Sequence, residues 1–371
     1  MNAQHPGRPA GVYIPVIVLA LLAGVARAGA PPGDPNTDTA RGKSQFAVLP
    51  ALAYTPETRF ILGVVGAYIW ESEDTLRKSS ITADFLYSQN RQIQTGLSFD
   101  IYSDSGRSKI AGEAQYSYWP GKFYGIGNQT PAEVEEPFTE KFFRASLGLF
   151  LSVGEGFSAG PEYDFRASSV IQTSDGGALG SGAIAGVANY VASGVGAAAI
   201  LDTRIDNFSP RGGRLVYLSA HWYSKLLGSD YSFSRYIVDA RQYVPFWGGH
   251  IIGFQAYFCA LSGTVPFQMM SLLGGEVRGR GYYEGRYRDN VLFSGQAEYR
   301  TPLLYRCGLV VFGGITQVSR NLAGFSLGGI HPFAGFGFRF RLLNDTRVNL
   351  RFDWGYGDDS SGNYIGVNEA F

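Results

Sequence analysis

The sequence predicts an all-β fold, a 16-stranded antiparallel transmembrane β-barrel with a long loop folded into it. Three observations carry this: the composition, a period-two alternation that runs to the end of the chain, and the number of segments that show it. Of 371 residues 15% are aromatic and 50 are glycine. Aromatic and β-branched residues suit strands, and glycine marks turns and crowded positions. The formal net charge is +0, so there is no global field for a polyanion and no nucleic-acid partner is expected.

The N-terminus reads as a targeting segment. Arg8 precedes an apolar run, VYIPVIVLALLAGV (12–25), and the small-x-small site ARA (26–28). Residues 1–28 are therefore expected to be a secretory signal peptide cleaved after Ala28. The run is short for a membrane anchor. Residues 29–45 are rich in Pro, Gly, Asp and Thr and read as a flexible periplasmic lead-in, leaving 46–371 for the barrel.

Alternation then dominates. In QIQTGLSFDIYS (92–103), Ile93, Leu97, Phe99 and Ile101 share one face, while Gln94, Gly96, Ser98 and Asp100 share the other. PFAGFGFRFRLL (332–343) sets Phe336, Phe338 and Phe340 against Gly335, Gly337, Arg339 and Arg341. RVNLRFDWGYG (347–357) opposes Val348, Leu350, Phe352, Trp354 and Tyr356 to Asn349, Arg351, Asp353 and Gly355. A soluble sandwich would show a Lys, Glu and Thr face and shorter strands. Large apolar groups against Arg, Asp and Gly, over segments of about ten residues or more, fit lipid outside and water inside.

Such segments lie near 46–55, 60–71, 79–89, 92–103, 108–119, 140–153, 156–170, 190–203, 213–224, 231–246, 250–262, 291–303, 308–318, 332–342, 346–357 and 363–371. With both termini in the periplasm of a bacterial outer membrane, short connections (104–107, 154–155, 247–249) fall on one side. The long ones (120–139, 171–189, 263–290) fall on the other, as outer-membrane barrels require. WPGKFYGIGNQT (119–130) reads as the start of an outer loop with aromatics at the membrane interface. Cys259 and Cys307 fall at opposite rims with one strand between them. That separation of about 9.5 Å is too wide for a disulfide.

The longest connection holds GGEVRGRGYYEGRYRDN (274–290), with Arg278, Arg280, Arg286 and Arg288. No helix follows to make it a phosphate cradle. On the next strand, VLFSGQAEYRTPL, the facing of Val291, Phe293 and Tyr299 to lipid turns Gln296, Glu298 and Arg300 to the lumen. Asp100 and Asp353 are lumenal too, so a loop folded inward meets acids that a guanidinium can grip in a fork.

At this point RGY (280–282) before GRYRDN and AEYRTPL resembles the BamA/TamA outer-membrane assembly superfamily, the bacterial surface antigen family. LDTRIDNFSPRGG (201–213), with Asp202, Arg204, Pro210 and Gly213, looks like that family's periplasmic turn motif. RFDWGYGDDSSGNYIGVNEAF (351–371) resembles its closing strands, with Phe371 as the terminal aromatic of the assembly signal. The resemblance implies that Arg280, beside Gly281 and Tyr282, lies inside the barrel and pairs with Glu298. The chain departs from the family pattern in two ways. Gly314 in VFGGITQV stands where the family carries an aspartate, which reduces the expected two-acid clasp. Residues 29–45 leave no room for a POTRA domain, so the small members lacking POTRA domains are the expected relatives.

Function follows as an expectation: a barrel that assists insertion or translocation of protein or lipid at the outer membrane. Its expected partners are outer-membrane lipid, the barrel assembly machinery during biogenesis, and either a second copy or a periplasmic protein to capture substrate. The alternative is a passive or plugged pore, or a structural barrel. No catalytic residue, metal site or cofactor is expected. His221, facing the lumen with Tyr217, Ser219 and Tyr223, has no nucleophile or base at a recognisable spacing, and the scattered His and Cys do not make a ligand set.

Overall fold

A computed structural model describes residues 17–18, 44–71, 78–206, 209–341 and 348–371. Sixteen strands form the wall: β1 (Ser44–Thr55), β2 (Arg59–Glu71), β3 (Lys78–Ser88), β4 (Ile93–Tyr102), β5 (Ser108–Phe123), β6 (Glu136–Gly154), β7 (Phe157–Gln172) and β8 (Tyr190–Asp202), then β9 (Gly213–Tyr223), β10 (Phe233–Phe246), β11 (His250–Gly263), β12 (Val291–Arg300), β13 (Cys307–Ser319), β14 (His331–Arg341), β15 (Asn349–Gly357) and β16 (Ser360–Val367). Each pairs antiparallel with the next, and β16 returns to β1. Closure pairs the strand edges that an open sheet of this length would expose, except along most of the β16–β1 seam.

The two faces separate as the alternation requires. On β13, Leu309 and Val311 are exposed on the outside, at 60% and 57%, while Val310 and Phe312 are buried inside. On β15, Trp354 and Tyr356 point out and Arg351 and Asp353 are buried in the interior. Cys259 and Cys307 are free thiols.

The rim where β1 ends carries the long loops, and these interlock. The Gly127 N–H donates to the Arg288 carbonyl at 2.8 Å, and the Phe267 N–H to the Ala185 carbonyl at 2.9 Å. Asn128 donates to the Gly329 carbonyl at 2.7 Å and accepts from the Val318 N–H at 3.0 Å. Phe123, Phe138, Leu179 and Phe267 bury one another beneath this cover. The expected interfacial placement of 119–130 is corrected here: Trp119, Phe123 and Tyr124 are 5%, 1% and 6% exposed and point inward, because β5 and β6 run past the expected loop ends.

Two further corrections concern the chain ends. β1 starts at Ser44, inside the expected lead-in. β16 stops at Val367, not at residue 371. Asn368 takes φ +65°, and the last residues turn out of the wall into the interior. The expected signal peptide lies outside the described residues except for Ile17–Val18, a two-residue strand that pairs with Leu52 and Ala51 of β1.

Candidate functional site

The β11–β12 loop runs through the interior, and its Arg280 is fully buried. An unpaired guanidinium there would be prohibitively costly, so its partners decide whether the loop can stay. Arg280 Nη2 lies 2.7 Å from Glu298 Oε2 on β12 and 3.1 Å from Gln296 Oε1. Arg280 Nη1 lies 2.8 Å from Asp353 Oδ2 on β15. The guanidinium also sits 3.4 Å from the ring centroid of Phe312 on β13, a desolvated cation–π contact.

The acids are shared. Glu298 also holds Arg300 at 2.8 Å, and Asp353 holds Arg339 at 2.6 Å. Arg339 passes the network to Glu369 at 2.7 Å, and Arg351 pairs with Glu276 of the loop. The result is a buried lattice of Arg280, Arg300, Arg339 and Arg351 among Glu276, Glu298, Asp353 and Glu369, in which every guanidinium faces at least one carboxyl. Gly314 leaves no place for an acid on β13: a Cβ there would lie 2.5 Å from the Gly295 carbonyl and from the Phe333 ring. The clasp has two carboxylates after all, with the second one moved to β15.

Gly281 and Tyr282 press the loop onto the closing strands. Gly281 has φ +116°, and a Cβ on it would lie 2.7 Å from the Tyr356 backbone. Its N–H donates to the Tyr364 hydroxyl of β16 at 3.0 Å. The Tyr282 hydroxyl donates to the Pro332 carbonyl at 2.9 Å and accepts from the Asp358 N–H at 2.7 Å. Further along, the Glu284 N–H donates to Glu57 Oε1 at 2.7 Å, and Glu57 lies in the turn between β1 and β2. One loop thus touches β15 and β16 on one side and the β1–β2 hairpin on the other. Sequence reasoning missed Glu57 and Glu276; both are single acids in turn-like contexts, with no local signal of a distant partner.

The other rim is crossed by the β8–β9 turn and the chain's last residues. Arg204 grips Asp202 through Nη2 at 2.7 Å, and Gly213 adopts φ +85° with no space for a side chain beside Thr203. Pro210 accepts from Arg300 Nη1 at 3.4 Å. Phe371 does not lie on a lipid-facing strand. It is 2% exposed, stacks on Tyr243 and offers its carbonyl to Arg300 Nη2 at 3.1 Å. Glu369, on the apolar face in a continued β16, instead meets Arg339.

The β16–β1 seam differs from the rest. It is paired at a single position, Ile365 with Tyr54, whereas β15 and β16 pair continuously from Leu350–Val367 to Gly357–Ser360. The β1 edge left over is where Ile17–Val18 adds as a short third strand. Elsewhere, His221 Nε2 lies 3.3 Å from Glu162 Oε2. Among the described residues no cluster of three His, Cys, Asp or Glu could hold a metal.

Residues 187–357 match the model of the Omp85 superfamily domain. No curated protein matches the chain. Among solved structures, the chain is similar to BamA from Haemophilus ducreyi lacking POTRA domains 1–3, with a TM-score of 0.61 and 11% identity over 97% of this chain and 75% of that one. It is also similar to CdiB from Acinetobacter baumannii, with a TM-score of 0.54 and 10% identity over 88% and 65%, respectively. CdiB from Escherichia coli gives 0.54 and 10% over 86% and 62%. The chain therefore spans less than two thirds of either CdiB. At these identities the likeness establishes the barrel fold.

Proposed function

We propose, from the premise that this outer-membrane barrel carries an Omp85 superfamily domain, that it assists insertion or translocation of a protein or lipid by opening between β1 and β16. The observation that carries the reading is the single-position pairing of that seam. Strand edges with free N–H and C=O groups add strands readily. The lumenal loop supplies a latch, since it holds β15–β16 through Arg280 and Gly281 and the β1–β2 hairpin through Glu284. The interlocked loops at one rim, and the tail and turn at the other, weigh against a passive open pore. In this reading the termini are periplasmic and the interlocked loops extracellular, and a second copy or a periplasmic protein delivers the substrate.

Deletion of the chain from its host tests the reading. Outer-membrane protein and lipid profiles should change selectively, with the loss restored by the wild-type chain. Unchanged profiles would remove the proposal.

A further inference from the structure

A cavity of about 50 Å³, room for roughly three waters by volume, lies between the lumenal loop and the wall of β5–β7, lined by Glu57, Trp119, Arg166, Tyr283, Glu284 and Arg288. Its two arginines differ. Arg166 is engaged by Glu140, with Nη2 at 3.1 and 3.0 Å from the two carboxylate oxygens. Arg288 is 4% exposed and pairs with no carboxylate among the described residues. Its Nη1 reaches the Phe267 carbonyl at 3.3 Å, and its guanidinium lies 5.1 and 5.5 Å from the rings of Phe123 and Phe267. The Nε atoms of both arginines lack hydrogen-bond partners. A buried guanidinium in no close ion pair, with Glu140 and Glu284 acting on it only at longer range, is costly to keep.

We infer that this cavity binds a small oxyanion, a phosphate group or its equivalent, between Arg288 and Arg166. The planar guanidinium presents forked N–H donors suited to such a ligand. Three carboxyls share the lining, Glu57, Glu140 and Glu284; Glu140 is held by Arg166, and the state of the other two fits the assignment. Burial and the charge of Glu57 push Glu284 up to about 8, against pulls from Arg278 and Arg288 and a further push from Glu276. Below about 8 the Glu284 carboxyl is protonated and donates a hydrogen bond to an anion, and above it the group ionises and repels the anion; Glu57 is shifted in the same direction by its burial. Of the other charged groups lining the cavity, Lys122 is bound to Glu135 at 2.7 Å and Glu140 to Arg166. The site shares Glu57 and Glu284 with the loop's contact to the β1–β2 hairpin, but anion binding there does not require the β1–β16 seam to open.

The test is calorimetric titration of the folded, detergent-solubilised full chain with inorganic sulfate, whose charge is constant across the pH range used. Parallel arms use inorganic phosphate and a short-chain phosphatidic acid. Saturable sulfate binding near pH 6 should weaken at least about tenfold in Arg288→Met and by a similar factor in the wild type near pH 9. Glu57→Gln/Glu284→Gln should retain the binding near pH 9. Saturation by phosphate alone identifies a soluble anion, and a much stronger response to phosphatidic acid identifies a lipid headgroup. Absence of saturation in every arm, or Arg288→Met binding as tightly as wild type, overturns the assignment. If Arg288→Met does not fold, the double glutamine variant decides: binding that falls with pH as in the wild type refutes the site.

Discussion

Arg280 on the lumenal loop and Asp353 on β15 stand 2.8 Å apart, both fully enclosed, and this pair sets where the loop can lie. Glu298 alone would anchor the loop to β12, the strand that follows it in sequence. Asp353 carries the anchor to the far end of the sheet, next to the strand that closes the barrel. The glycine pair Gly281 and Gly355 makes this possible, since a Cβ on Gly355 would lie 2.6 Å from the Arg280 backbone.

Arg280→Met should destabilise the barrel by about 3–5 kcal/mol, because it takes one cation out of a fully buried network and leaves Glu298 and Asp353 with negative charge that Arg300 and Arg339 do not balance. Arg280→Lys should recover only part of the loss, as an ammonium cannot fork between β12 and β15. Transferring the acid with Asp353→Asn/Gly314→Asp should not rescue, for position 314 is filled by the Phe333 ring and the Gly295 carbonyl. Urea midpoints read from heat-modifiable gel mobility measure all three. A rescued double variant would show that β13 can hold the second acid.

Much of this was legible in the chain, for a physical reason. Alternation fixes which face each strand residue takes, so sixteen segments and the lumenal facing of Glu298, Arg339 and Asp353 can be read directly. The partner of a lumenal acid cannot, because it depends on the path of a loop that obeys no period. Gly314 signals a missing carboxylate but not its replacement two strands away. The chain end misleads for the opposite reason: Val367, Glu369 and Phe371 keep the alternation that β16 abandons. Only the positions of Arg300 and Arg339 reveal why it stops.

The loop should hold more loosely as pH rises. Glu276 is pushed up to about 7 and Glu284 to about 8, burial being the first cause for both. The ordinary value is 4.5, so the unfolded chain releases these protons first. Their contribution is full below that value and is lost as pH rises through 7 and 8. Hydrogen exchange at the amides of 276–288 should therefore gain protection from alkaline to mildly acidic conditions, after correction for intrinsic rates. Glu284→Gln should flatten the upper part of that trend; an unchanged profile in the variant would assign it elsewhere.

The chain end should behave as an interior group. p-Cyanophenylalanine at position 371, close to the native ring in shape, should resist quenching by spin-labelled lipids, because Phe371 stacks on Tyr243 within the barrel. The same label at position 336, 50% exposed on the outer face, should be quenched strongly. Equal quenching at both positions would return Phe371 to the lipid surface. Arg300→Met should loosen the tail and raise the accessibility of position 371 to a water-soluble quencher, since it removes the donor to the Phe371 carbonyl.

The seam offers the sharpest test of function. Tyr54 and Ile365 are the one paired position between β1 and β16, so Tyr54→Cys/Ile365→Cys places two thiols on directly opposed residues, within reach of a cross-strand bond. Cys259 and Cys307 stay apart and need not be removed. Oxidation should leave the barrel folded, with normal heat-modifiable mobility, while abolishing whatever the wild-type chain restores in the deletion host. Reduction should return it. A bond here blocks edge exposure without touching the Arg280 network, so the experiment separates a seam that must open from a loop that must only be held. Full complementation by the oxidised, locked barrel would leave the lumenal lattice as a purely structural device.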